Sequence, residues 1–180
     1  MNAEGILYFW FEQIDPIKWW AKDEQFDQTL KLRFRDIHTA ARKGMLADWR
    51  ETPRGRLAEI IILDQMSRNI YRGRPESFAS DALALKLAKE AIELDADKDM
   101  DDDECMFLYM PFMHSENARD HIYAVELFSS RPGLDANLDF ELKHKEIIDR
   151  FGRYPHRNEI LGRESTPEEE EFLLEPGSSF

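Results

Sequence analysis

Apolar residues recur at three- and four-residue steps along most of this chain, the period of a helix with one face against a core. Between Asp23 and Gly44 the stripe is Phe26, Leu30, Phe34, Ile37 and Ala41, and Gly44, following Arg42 and Lys43, is a C-terminal stop. Pro53 after Thr52 opens a second helix with Leu57, Ile60, Ile61 and Leu63, whose end presents Asp64, Gln65 and Arg68. Ser80 or Asp81 is placed to cap a third, with Leu83, Leu87, Ala88, Ala91 and Ile92 toward the core. Asp95 to Glu104 breaks the pattern and reads as a solvated loop. Met106, Phe107, Met110 and Met113 mark a fourth helix, which Pro111 kinks or ends just before His114. Further helices are expected over 117–129 and 139–151. Thr166-Pro167-Glu168-Glu169 supplies a cap, a first-turn proline and a capping-box glutamate for a short last one. Alternating strands with hairpin turns are absent, so the pattern predicts an all-α fold.

Length and charge narrow the classes of function. The chain has 180 residues, enough for one core, and we expect one all-helical domain over residues 1–175 with a frayed tail over 176–180. A formal net charge of −13 argues against nucleic-acid binding and against an anionic membrane surface, both of which need a basic field. The single cysteine, Cys105, sits among Met106, Phe107 and Leu108 as a small core residue and has no disulfide partner. The apolar run Ile6 to Phe11 is too short to span a membrane and lacks the flanks of a secretory signal. A soluble, cytoplasmic protein is expected. Phe9-Trp10-Phe11 and Trp19-Trp20 read as core aromatics.

One polar phrase occurs twice. Arg68-Asn69-Ile70-Tyr71-Arg72-Gly73 is echoed by Arg157-Asn158-Glu159-Ile160-Leu161-Gly162, each at the end of an apolar run. A third phrase, Tyr109 to Glu116, mixes apolar bulk with His114 and Glu116. Such groups are costly to desolvate unless partners or a ligand receive them. Asp64 and Arg68 are four apart and can pair along the helix. Arg150, Arg153, His156, Arg157, Asn158 and Arg163 concentrate donors in an acidic chain, and arginine forks suit carboxylate or phosphate. The alternative is that these arginines pair with carboxylates such as Asp64, Glu116 or Glu146. No metal site or cofactor is expected. Asp95-x-Asp97-x-Asp99 lacks the glycine and glutamate of a calcium loop, Glu141-x-x-His144 has no second copy for a di-iron bundle, and nucleotide and serine-nucleophile motifs are missing.

These phrases, taken in order with Trp19-Trp20, Leu63-Asp64-Gln65, Tyr109-Met110-Pro111 and Phe151-Gly152-Arg153-Tyr154-Pro155, resemble the bacterial domain-of-unknown-function 924 family over nearly the whole chain. Met66-Ser67 departs from the apolar residue and proline of that pattern. The resemblance implies about seven to nine helices in antiparallel hairpins similar to a tetratricopeptide-like array, and implies no reaction. On the residues themselves, three phrases converge on a site for a small anionic molecule. Asp64, Arg68, Asn69, Arg153, Arg157 and Asn158 would bind and orient it, and His114, Glu116 or His156 would serve any proton transfer. Two further readings stay open: a scaffold holding a peptide partner in a groove, and polar clusters that only lock helix ends together. Whether the protein is an enzyme is not legible.

Overall fold

The computed structural model describes residues 1–179, which contain no strand; ten helical segments are present among them, eight of seven residues or more. The chain begins with α1 (Ala3–Leu7), which widens into a π-helical stretch at Tyr8–Gln13, and continues through α2 (Ile17–Trp20) and α3 (Glu24–Arg42). Next, α4 (Pro53–Ile61) runs through a π segment, Ile62–Met66, into α5 (Ser67–Ile70). The remaining helices are α6 (Asp81–Glu93), α7 (Asp102–Met113), α8 (Ala118–Ser129), α9 (Asp135–Phe151), α10 (Asn158–Leu161) and α11 (Pro167–Phe172). No helix of the described residues is long and apolar enough to cross a membrane.

The helix starts follow local chemistry. Asp23 accepts the backbone N–H groups of Gln25 and Phe26, Thr52 that of Gly55, and Asn117 that of Arg119. Thr166 and Glu169 complete the capping box read from the sequence. Two expectations are corrected. The acidic stretch is a loop only as far as Asp101, because Asp101 and Glu104 form a second capping box that starts α7. Ser80 occupies the N-cap of α6 but makes no capping bond; its hydroxyl is buried without a partner.

Packing makes α4 and α7 the central helices. From Leu57 to Ser67 every residue is buried, and so is every residue from Glu104 to Met113. A helix buried on all faces is one surrounded by others: α1, α6 and α7 pack on α4, and α6, α8 and α9 pack on α7. Of the N-terminal aromatics, Phe9 and Trp10 are buried in this core, with Trp10 edge-on to Phe107 at 5.5 Å, and Phe11 and Trp19 are partly buried against it. Trp20 corrects the expectation, since it is 55% exposed. Pro111 lies inside α7, which runs on to Met113 and hands the chain to His114 at its C-cap. A second small cluster, Ile147, Ile148, Tyr154 and Phe172, ties the C-terminal segment to α9.

Gly55 is where α4 meets the preceding turn. A Cβ there would stand 1.9 Å from the Trp49 carbonyl oxygen, a backbone atom that cannot swing aside. Gly55→Ala is therefore expected to lower stability by about 2–3 kcal/mol despite alanine's better helix propensity. Urea unfolding at neutral pH measures it; an unchanged midpoint would mean the turn moves freely.

Candidate functional site

The two central helices end side by side, and this brings polar groups into the core. Asp64, wholly buried in the π segment, is fixed from three directions. His114 Nδ1 donates to its Oδ1 at 2.7 Å, Gln65 Nε2 to its Oδ2 at 2.5 Å, and Arg68 Nη1 lies 3.1 Å from Oδ1. Burial pushes the Asp64 carboxyl up, but Arg68, His114 and Gln65 outweigh it and hold the group well below the usual carboxylate range. An ionised Asp64 takes the Nδ1 proton of His114, which places the ring's lone pair on Nε2. Burial, and then Arg68, lower the pKa of His114, so the neutral ring is favoured.

The echoed arginines meet. Arg68 grips Asp81 with both terminal nitrogens at 3.0 Å, and Arg157 Nη1 reaches the same carboxylate at 3.2 Å. Arg157 Nη2 donates to the His114 carbonyl at 3.1 Å. Its guanidinium carbon lies 4.5 Å from the ring centre of Phe78 and 4.6 Å from that of Tyr154, distances at which a cation is attracted to the ring faces. Burial and the neighbouring Arg68 lower the Arg157 pKa. Its Nε–H is buried with no acceptor. Both echoed phrases include one helical turn, α5 and α10, followed by a glycine in the left-handed region: Gly162 (φ +65°) caps α10, whereas α5 ends at Tyr71 and Gly73 (φ +74°) lies in the turn beyond it.

Asp64, Arg68, His114 and Arg157 thus share one node, and Asn69, Glu116, Arg153 and Asn158 lie outside it. Asn69 turns to α3, donating to Asp27 at 2.8 Å beside Arg72. Arg153 holds Glu169 through two 2.7 Å bonds, Asn158 bridges Glu169 and Arg163, and Arg163 clasps Glu116 at 2.7 and 2.9 Å. Glu116 also accepts the Tyr154 backbone N–H. Burial raises the Glu116 pKa, but Arg163 and that N–H outweigh it and keep the group ionised. His156 packs against Tyr154, with ring centres 5.5 Å apart, and burial together with Arg157 lowers its pKa to about 3.

Four members of this region escaped the sequence reading. Asp81 is an ordinary first-turn acid by position, and Phe78 an ordinary aromatic. His121 and Glu141 form a second buried pair at 2.7 Å, one on α8 and one on α9. Because His121 Nε2 meets the Ser115 carbonyl at 2.8 Å and must donate there, the Nδ1 and Glu141 oxygens share a single proton. Burial raises the pKa of Glu141. No sequence spacing signals a contact between two separate helices.

A model of a family described as a bacterial protein of unknown function (DUF924) matches residues 6–177. The chain belongs to that family. This DUF924 protein is also similar to the solved structure of a protein of unknown function from Agrobacterium tumefaciens, at 40% identity, with 96% of each chain covered and a TM-score of 0.90. None of the curated proteins compared with the chain matches it. Within the DUF924 fold, two surface cavities of about 430 and 390 Å³ lie away from the node, one lined by Tyr8, Trp19, Arg54 and Asp103 and the other by Asp97, Tyr109 and Arg131. Among the described residues, no group of three or more His, Cys, Asp or Glu is placed to hold a metal ion.

Proposed function

We propose that this protein binds a small anionic molecule at the node formed by Arg68, Asp81, His114 and Arg157. The observation that carries the reading is the Nε–H of Arg157, buried without an acceptor in a guanidinium that already shares Asp81 with a second arginine. An unmet buried donor costs about 1–3 kcal/mol, and an incoming carboxylate or phosphate oxygen would meet it. The node lies at the protein surface, with side-chain exposure of 20% at Arg68, 17% at Asp81 and 12% at His114.

A second reading draws on the neighbouring chain of Arg153, Glu169, Asn158, Arg163 and Glu116, in which these side chains pair with one another or with backbone. There the polar residues fasten the C-terminal segment to the α7–α8 connection, a purely structural task.

Thermal-shift titration separates the readings. Organic acids and inorganic phosphate are titrated into the wild type and into Arg157→Lys, which keeps the charge but loses the Nε–H and the planar fork. A ligand at 100 times its Kd adds about 2.7 kcal/mol to stability. Stabilisation of the wild type, and at most weak stabilisation of Arg157→Lys, is the expected result. If no anion shifts the wild type while Arg157→Lys alone melts markedly lower, the node is structural.

A further inference from the structure

Residues 152–179 are fastened to the helical body differently from everything before them. Of their apolar side chains only Tyr154, Pro155 and Phe172 are buried, and Tyr154 and Phe172 join Ile147 and Ile148 of α9 in a cluster separate from the main core. Within the segment, polar side chains bond to one another: Arg153 to Glu169, Asn158 to Ser165 and Glu169, and Arg163 to Asn158. Few groups tie it to the body. Tyr154 donates its hydroxyl to the Met113 carbonyl, Glu116 accepts from Tyr154 and Arg163, and Arg157 reaches Asp81 and the His114 carbonyl. The chain enters the segment at Gly152, in the left-handed region at φ +68°, with open space around its Cα.

We propose that residues 152–179 form a strap that peels from the body as one unit about Gly152, ahead of global unfolding, and that acid favours the open form. A segment with few buried apolar contacts opens at a lower free energy than the core it lies on. Once detached, α10 and α11, of four and six residues, are too short to keep their helical hydrogen bonds. Arg157 rides on the strap, whereas Arg68, Asp81 and His114 belong to the body, so the node is complete only in the closed form.

The acid dependence follows from what surrounds Tyr154. His121 of α8, His144 of α9 and His156 of the strap pack on its ring, with centres 6.3, 5.8 and 5.5 Å away, and Arg157 lies 4.6 Å from the ring centre. Arg68 of α5 and His114 at the end of α7 also face this group. The carboxylates facing it are Glu116, held by Arg163, and Glu141, bonded to His121. Burial opposes a proton on His144 or His156, and the basic neighbours add to it, which lowers both pKa values to about 3. Released rings titrate near 6.5. The open strap therefore binds more protons than the closed one between those values, and its population grows as pH falls.

Amide hydrogen exchange of the whole protein tests this, with rates corrected for the pH dependence of chemical exchange. Peptides from the strap are compared with peptides from α4 and α7. At pH 7.5 the strap amides are expected to exchange faster than those of α4 and α7. Between pH 7.5 and 5.5 their opening constant should rise about tenfold for each imidazole released. In His144→Gln that rise should be about tenfold smaller. Glu116→Gln weakens the grip on Arg163 and removes no imidazole, so it should raise opening by the same factor at both pH values. Strap amides that exchange in step with α4 and α7 overturn the proposal, because the chain then opens only globally. An opening constant that is the same at pH 7.5 and 5.5 overturns it as well.

Discussion

Asp64→Ala is expected to lower the stability of the folded protein by about 3–5 kcal/mol, the cost of removing one partner from a buried charge network. Asp64 has no exposed surface, yet its carboxylate serves His114, Gln65 and Arg68 at once. Removing it leaves the His114 Nδ1–H without an acceptor and the Gln65 amide facing only the Met110 sulfur at 3.4 Å. Arg68 keeps Asp81 and the Asp64 backbone carbonyl, but two guanidiniums then depend on one carboxylate. These groups have lost most of their water, so they recover little hydration when the partner goes.

The measurement is urea unfolding at neutral pH, with the double variant Asp64→Leu/Arg68→Leu as comparison. If the loss comes from stranded charge, the double variant is the more stable of the two, because removing both members removes the uncompensated guanidinium. A cost below about 1 kcal/mol for Asp64→Ala would show that water or a shifted side chain replaces the carboxylate easily, and would deprive His114 of its fixed tautomer. The contact that joins the π segment after α4 to the end of α7 thus also fixes the tautomer of His114.

Much of the scaffold was legible because helical burial writes itself into the chain at short range. Phe26, Leu30 and Phe34 are buried on one face of α3, and the caps at Asp23, Thr52 and Thr166 act within three residues. Ser80 misled because an N-cap position does not oblige the hydroxyl to cap; the packing around Arg68 and Arg157 claims the next residue, Asp81, instead. The acidic run misled in the other direction, since its last member, Glu104, serves as the N3 glutamate of α7. Within the candidate site, the echo of Arg68 in Arg157 pointed to two residues that do meet. Which acid would join them was invisible, for any of the chain's many carboxylates suits an arginine and only tertiary packing chooses Asp81. The same ambiguity hid Glu169 as the partner of Arg153: its capping role was readable from four consecutive residues, its ion pair was not.

Acid should unfold this protein well before its ordinary carboxylates protonate. Besides His114, whose pKa burial and Arg68 lower, three imidazoles are held neutral in the fold: burial lowers the pKa of His38 to about 4, with Arg42 adding to it, that of His144 to about 3, and that of His156 to about 3 with the help of Arg157. In the unfolded chain each titrates near 6.5. The unfolded state therefore binds more protons than the native state in the window below about 6.5 and above about 4, and stability falls as pH falls through it. Each imidazole contributes up to about 1.4 kcal/mol per pH unit, so three set a limiting slope of about 4 kcal/mol per unit. Glu141 works against this. Its raised pKa means that the folded state takes up that proton first, which adds stability as pH falls toward about 4.5 and makes the net slope shallower. Asp64 and Glu116, whose pKa values are lowered, begin to lose their stabilisation as pH falls through the ordinary carboxylate range, and the loss is complete below their folded pKa values. Urea midpoints measured at half-unit steps between pH 7.5 and 4.5 test the sum. His144→Gln, which can still donate to the Phe140 carbonyl that His144 Nδ1 contacts at 2.7 Å, should remove about one proton from the uptake on unfolding. Stability that stays level from pH 7 to 5 would mean that these rings protonate in place, with water reaching an interior that the packing of Tyr154 against His144 and His156 otherwise closes.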